Sequence, residues 1–311
     1  MANVLVTGGA GFIGSHLATR LVEAGHVVRV LDNFSTGHRE NLGHLDGRIQ
    51  LYEGDLRDAG CCRAACAGVQ FVFHHAALGS VPKSVEDPIT SHEVNITGTL
   101  NVYKAAVEAG VRRVVYAASS SAYGDTAESP KHEGMVPAPL SPYAVQKLAG
   151  ELYARAFWEC YHLETLSLRY FNVFGPRQDP QSQYAAAIPA FVTLILRGQR
   201  PTVFGDGEQS RDFTYIDNVI DANLLAMNIP AARGETVNVA CGAQITVNQV
   251  LAAINESLGT KSAAVYTDPR PGDVRHSCAD IRLARRLLGF APAVSFEDGL
   301  RRAIDYYKSL V

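Results

Sequence analysis

Tyr143 and Lys147 stand four residues apart in the stretch Ser141-Pro142-Tyr143-Ala144-Val145-Gln146-Lys147. Ser141-Pro142 is a helix start, because proline is favoured at the first helical position. The spacing then puts phenol and ammonium on one helical face. An unperturbed tyrosine titrates at about pH 10, too high for a base at neutral pH. A neighbouring cation favours the phenolate and brings that value toward working range. Tyr-x-x-x-Lys also occurs on ordinary solvated helices, so its meaning depends on the elements that precede it.

Those elements begin with Val4-Leu5-Val6-Thr7, an apolar β-branched run expected to be a buried parallel strand. Gly8-Gly9-Ala10-Gly11-Phe12-Ile13-Gly14 follows, and Phe12, Ile13, His16, Leu17, Leu21 and Val22 recur at helical spacing. Strand, glycine turn and helix are the context of a dinucleotide loop. Gly8 allows the tight turn, Gly11 lets backbone approach a pyrophosphate, and Gly14 lets the helix pack on the strand. The spacing is G-x-x-G-x-x-G rather than G-x-G-x-x-G. The next strand, Val27–Leu31, ends in Asp32-Asn33. An acid there, about 20 residues after the loop, suits the ribose hydroxyls of NAD and repels the extra phosphate of NADP. Its plainer role is to cap a turn. Phe34-Ser35-Thr36-Gly37 continues as a loop able to line the adenosine ribose.

A third strand, Ile49–Gly54, closes with Asp55-Leu56, where an adenine amino group could be met. A fourth is expected over Val69–Ala77. Its His74 and His75 are adjacent on a strand and point to opposite faces, which argues against a shared metal ion. Ala76-Ala77 is small enough for a cofactor to lie close. A helix is expected from Ser91 to Ala109, with Asn95 and Thr97 as internal polar groups needing partners. The fifth strand, Arg113–Ala118, delivers Ser119-Ser120-Ser121-Ala122-Tyr123-Gly124 to its carboxyl end, where open parallel sheets bind ligands. After the Tyr143 helix comes the strand Thr165–Tyr170, then Phe171-Asn172-Val173-Phe174-Gly175.

Alternating strands and helices predict an α/β fold, a Rossmann-like doubly wound parallel sheet over 1–175. Beyond, over 176–311, the pattern is less regular: helices at 187–198, 246–258 and 281–288, a short strand at 201–204, and one more around Asn238–Ala240. This part is expected to be a smaller substrate-binding domain with some segments returning to the sheet. The 311 residues carry a net charge of −3 with no basic run, which excludes a general nucleic-acid surface. Six cysteines lack C-x-x-C spacing and are read as free thiols. Met1 leads straight into a strand, with no signal peptide and no apolar run long enough to span a bilayer. The expectation is a cytoplasmic protein without membrane contact.

Taken together, these residues resemble the extended short-chain dehydrogenase/reductase family over nearly the whole chain. The resemblance rests on Thr7–Gly14, Asp32, Asp55-Leu56, Asn95, Ser119-Ser120-Ser121, Tyr143-x-x-x-Lys147 and Arg169–Gly175. Within the family the chain is similar to the nucleotide-sugar 4-epimerases of UDP-N-acetylglucosamine type, through Gly79–Ser84, Tyr116–Ser121, Leu140–Val145 and Arg275-His276-Ser277.

The resemblance implies NAD held by Gly8, Gly11, Phe12, Ile13, Gly14, Asp32, Asn33, Ser35, Thr36, Gly37, Asp55, Leu56, His75, Ala76, Ala77, Asn95, Tyr143, Lys147, Tyr170 and Val173. It implies Tyr143 as base, Lys147 as the charge beside it, and Ser119 on the sugar O4, with Ser120 the near alternative. Ser80, Asn172, Ala186 and Asn238 would meet other parts of the UDP-sugar, Arg211 and Arg270 its diphosphate, and Asp273 the uridine ribose. Ser277 stands where galactose epimerases can carry a tyrosine, which leaves room for a 2-acetamido group. Gly79 departs from hexose-type members, which often have a lysine there. The family also forms dimers through helices equivalent to 92–109 and 143–160.

Other chemistries compete. A 4,6-dehydratase needs an acid–base pair after the serine, and Ser119-Ser120-Ser121-Ala122 contains no carboxylate. A UDP-glucuronate 4-epimerase would share the mechanism and differ in what the pocket presents to C6. A non-catalytic NAD-binding sensor would be expected to lack part of the set Ser119, Tyr143, Lys147.

Overall fold

Alternation along the first strand organises the molecule. In β1 (Asn3–Thr7), Val4 and Val6 enter one core while Leu5 enters another. A sheet buried on both faces follows, since successive side chains point to opposite sides. The computed structural model describes residues 1–180, 187–269 and 274–310. Its central sheet contains β1, β2 (Val27–Asp32), β3 (Ile49–Glu53), β4 (Phe71–His74), β5 (Arg113–Ser119), β6 (Glu164–Tyr170) and a seventh strand, Glu235–Val239. All pair in parallel, with β4 beside β1 and β3 at one edge. The seventh strand pairs with β6, so the C-terminal segment completes the large sheet.

On one face α1 (Phe12–Glu23) packs Leu17, Ala18 and Leu21 against Val4, Val28 and Val30. On the other lie α2 (Ala59–Cys66), α5 (Gly98–Glu108) and α6 (Pro142–Tyr161), which contribute Cys62, Tyr103 and Phe157. Fully burying a side chain such as Leu17, Leu21 or Phe157 stabilises the fold by about 1.5–3 kcal/mol. Ser141 caps α6 by accepting Ala144 N–H at 3.2 Å, and Pro142 occupies its first turn. All six cysteines are free thiols. No helix among the described residues is long and apolar enough to cross a membrane.

Three expectations change in detail. The fourth strand stops at His74, leaving His75–Ala77 as loop, because the chain must turn beneath the glycine loop there. The helix expected from Ser91 to Ala109 is three pieces: α4 (Pro88–His92), a π-turn at Glu93–Thr97, and α5. Widened helical turns of this kind are frequent at functional sites, and this one holds Asn95 buried. Three further helices, α2, α3 (Val81–Glu86) and Phe296–Lys308, lie outside the sequence expectation.

Candidate active site

The carboxyl ends of β1 and β4 meet where strand order reverses, the place where doubly wound sheets bind ligands. The glycine loop there is built by close approach. A Cβ on Gly14 would sit 2.1 Å from the Gly8 carbonyl oxygen, and one on Gly8 would sit 2.6 Å from the Ala76 nitrogen. Gly8 also has a φ of +68°, the left-handed region that glycine enters without steric cost.

A polar cavity opens beside this loop, lined by Gly8, Gly11, Asp32, Asn33, Ser35, Thr36, Gly37, Asp55, Leu56, His75, Ala76 and Ala77. Asp32 is 8% exposed and accepts the N–H groups of Ala10 at 2.9 Å and Phe34 at 2.8 Å. Those bonds orient its carboxylate and leave further lone pairs for ribose hydroxyls. Asn33 donates to Asp55 at 3.0 Å, and Arg57 holds the Asp55 carboxyl down at about 2. Acid, exposed backbone and close glycine packing fit an adenosine diphosphate half without a 2′-phosphate.

A second cavity of about 580 Å³ continues past the ends of β5 and β6. Phe12, Ile13, Tyr170 and Val173 line it together with Ser119, Ser120, Tyr143, Asn172, Arg211 and Ser277. Helix α6 and strand β5 therefore bring the serine cluster to the tyrosine. Ser119 and Ser120 both line the cavity beside Tyr143, and of the two it is Ser119 that favours the ionised form of the phenol. Ser119 is itself fixed by accepting the Ser121 hydroxyl at 2.9 Å. Lys147 is buried, donates to the Ala117 carbonyl at 2.7 Å, and lies 5.0 Å from the Tyr116 ring.

The charge balance differs from the sequence expectation. Burial raises the Tyr143 phenol, with Ser119 opposing, and burial lowers Lys147 to about 8. Desolvation disfavours both charged forms.

Several expected site residues lie elsewhere. Asn238 is fully buried: it accepts the Tyr123 hydroxyl at 2.7 Å and donates to Lys131 O at 3.0 Å and Asp280 O at 3.2 Å. That corrects its assignment to the nucleotide, because its amide is already consumed by structural bonds. Asn95 holds the cofactor side indirectly, bonding both backbone atoms of Leu78 (2.8 and 3.2 Å) and Gln146 (2.8 Å). Ser80 caps α3 by accepting Lys83 N–H at 3.3 Å. Ala186, Arg270 and Asp273 lie outside the described residues.

Two other wall residues, Lys131 and Gln178, have no motif to announce them; with Tyr123, Gly124 and Leu140 they also line the 580 Å³ cavity. A neighbouring cavity of about 440 Å³, lined by Phe204, Asp206, Gln209, Thr267 and Arg275, shares Val274 with it. Phe204 ends a short expected strand, and an apolar ring beside Gly205-Asp206-Gly207 was the available signal.

The paired histidines are tied into the fold, and His75 also lines the polar cavity. His74 bonds Thr7 at 2.7 Å and Thr99 at 2.9 Å, while His75 bonds the Tyr170 hydroxyl at 3.0 Å. Burial lowers His75 to about 3, His16 to about 4, and His74 well below its ordinary value. Such groups stay neutral when folded but charge when unfolded. Their stabilisation is complete above about pH 6.5 and is lost as pH falls toward the folded values, on the order of 2 kcal/mol each between pH 7 and 5. Thermal unfolding should accordingly move to lower temperature over that range. A Tm that is flat from pH 7 to 5 would count against these histidines being neutral.

Comparisons with known proteins agree with this geometry. The model of the NAD dependent epimerase/dehydratase family matches residues 4–240. A UDP-N-acetylglucosamine 4-epimerase from Methanobrevibacter ruminantium M1, in complex with UDP-N-acetylmuramic acid, superposes with a TM-score of 0.96 at 40% identity, covering 100% of this chain and 99% of that one. A UDP-glucose 4-epimerase from Thermotoga maritima, with UDP-glucose, gives 0.95 at 39% identity and 99% of both chains. A UDP-glucuronate 4-epimerase of Thermodesulfobacterium geofontis is 32% identical over 319 residues, covering 99% of this chain and 97% of its own. The chain belongs to the NAD dependent epimerase/dehydratase family, extended short-chain dehydrogenases/reductases in which NAD is the cofactor.

Proposed function

We propose that this UDP-sugar 4-epimerase interconverts UDP-N-acetylglucosamine and UDP-N-acetylgalactosamine, and turns over the UDP-glucose and UDP-galactose pair as well. One observation supports that choice of sugar: Ser277 and Gly79 are both small and line the same cavity as Ser119 and Tyr143. A Cβ on Gly79 would meet nothing within 4 Å, so the wall there has space to spare. An equatorial 2-acetamido group needs such room; a tyrosine in place of Ser277 would occupy it.

In this reading Tyr143, as phenolate, takes the proton from the sugar O4, and Ser119 donates to the same oxygen as it becomes a carbonyl. NAD supplies the hydride acceptor for C4 and later the hydride that returns to the opposite face of the 4-keto sugar. Lys147 provides the positive charge that makes the phenolate accessible. Arg211 meets the diphosphate, and the cavity walled by Phe204 takes the base. Arg270 and Asp273 are assigned to diphosphate and ribose on the resemblance. The NAD half spans 1–175 and the UDP half mainly 176–311. A second copy of the chain is the proposed partner: Val145 and Leu152, seven residues apart, form an exposed apolar stripe on α6, with Ala149 and Ala156 on the same face.

The test is an epimerisation assay on purified protein without added NAD, offering UDP-GlcNAc, UDP-Glc and UDP-GlcA separately. Conversion of UDP-GlcNAc to UDP-GalNAc is the expected result; turnover of UDP-GlcA alone overturns the sugar assignment and keeps the mechanism. Ser277→Tyr should then lower kcat/KM for UDP-GlcNAc by about 10–100-fold while changing UDP-Glc only a few-fold, since the added ring competes with the acetamido group. Equal losses on both sugars would show that Ser277 does not set the preference.

A further inference from the structure

Glu151 is a carboxylate with almost no exposed surface, four residues beyond Lys147 on α6. Its oxygens accept Nε and Nη2 of Arg169, on β6, at 2.8 and 2.6 Å. The remaining Nη1 of Arg169 has no hydrogen-bond partner among the described residues, and the guanidinium lies 4.5 Å from the centre of the Tyr123 ring. Tyr123 lines the reaction cavity. Buried ion pairs are seldom net stabilisers, because desolvating both charges offsets most of their attraction. Keeping one here, a single helical turn from the catalytic lysine, calls for a reason other than stability.

Lys147 supplies that reason. Its ammonium is buried and hydrogen-bonded to one carbonyl, Ala117 O. His74 at the end of β4 and His75 just after it are kept neutral by burial, with Lys147 adding repulsion. Tyr116 on β5 and Tyr143 on α6 are both held protonated by burial. Behind them, Tyr103 on α5 faces Glu151 and is also neutral, as is Tyr170 on β6. Among the described residues the negative charge that acts on Lys147 is that of Glu151, one helical turn away on α6.

We propose that Glu151 is a positioning residue of the reaction: aimed by Arg169, its carboxylate keeps the Lys147 ammonium charged and so keeps Tyr143 able to act as base. This rests on the roles given above to Tyr143 and Lys147. Arg169 fixes the carboxylate from the sheet side with two hydrogen bonds, so the anion cannot swing away from the lysine. The same guanidinium packs on Tyr123, which ties the charge pair to the wall of the sugar cavity.

The experiment reads Lys147 directly. Protein labelled at the lysine Cε carbons is titrated by NMR without substrate, the Lys147 resonance being assigned by its loss in Lys147→Met, and kcat is measured against pH in parallel. In Glu151→Gln, Lys147 should lose its proton at least about one pH unit lower than in the parent, and the alkaline limb of kcat should move with it. Glu151→Asp keeps the charge and should restore most of the parent titration. The double variant Glu151→Gln with Arg169→Met removes both charges, should titrate between the two, and serves if the single variant does not fold. An unchanged Lys147 titration in whichever neutral variant folds overturns the proposal, even if kcat falls. Because the resonance is read without substrate, that outcome is distinct from a failure of the epimerase assignment, which would appear as absent turnover in the parent.

Discussion

Tyr143→Phe should reduce kcat for epimerisation by about 10³-fold or more while leaving the fold intact, in keeping with the loss of a positioned general base. The substitution removes one oxygen. Tyr143 lines the same cavity as Ser119, which keeps its own bond from the Ser121 hydroxyl at 2.9 Å. No buried donor is stranded, so the expected change in Tm is small. Helix α6 keeps its cap at Ser141 and its anchor from Tyr143 N–H to Ser84 Oγ at 3.0 Å, neither of which uses the phenol. Activity and stability are thus separable at this residue. Measured turnover within tenfold of the parent would move the base to another group.

Gly14→Ala should do the reverse and damage the fold before the chemistry. Its new Cβ would lie 2.1 Å from Gly8 O and 2.8 Å from both Gly8 C and Gly9 Cα, all backbone atoms. No side chain can rotate away, so the start of α1 must lift from β1 or the turn must open. The turn is constrained from below as well, with Gly8 against Ala76. Overpacking of this kind costs about 3 kcal/mol, or roughly 5–10 °C in Tm for a chain of this size. Loss of bound NAD should accompany it, since the displaced backbone is the part that approaches the pyrophosphate. Gly43→Ala is the matched control, as its Cβ would meet nothing within 4 Å. Equal Tm values for the two variants would show that the close approach at Gly14 relaxes at no cost.

Much of the parallel sheet and its ligand end was legible in sequence because the signals are local. Apolar runs such as Val4–Val6 followed at once by glycines define a strand and its turn within a few residues. Ser141-Pro142 marks a helix start just as directly, and a fixed four-residue spacing carries Tyr143 and Lys147 to one face. Helix pieces were harder. The division of 88–108 into α4, a π-turn and α5 depends on Asn95 turning inward to hold the backbone of Leu78, which no periodicity reveals.

The identity of the polar groups in contact was not local at all. Whether Ser119 or Ser120 reaches the phenol depends on how β5 ends against α6. Asn238 was expected at the nucleotide, yet its strand joins β6 and its side chain is drawn under Tyr123, 115 residues earlier in the chain. The same packing sets the charges: spacing alone puts a cation near Tyr143, but the depth of the site raises the phenol and lowers the lysine. Residue order therefore suffices for the elements and for which groups face a common side, since helix and strand periods are short-range. Burial, partner and protonation come from segments far apart in sequence, so they exist only once the chain has closed on itself.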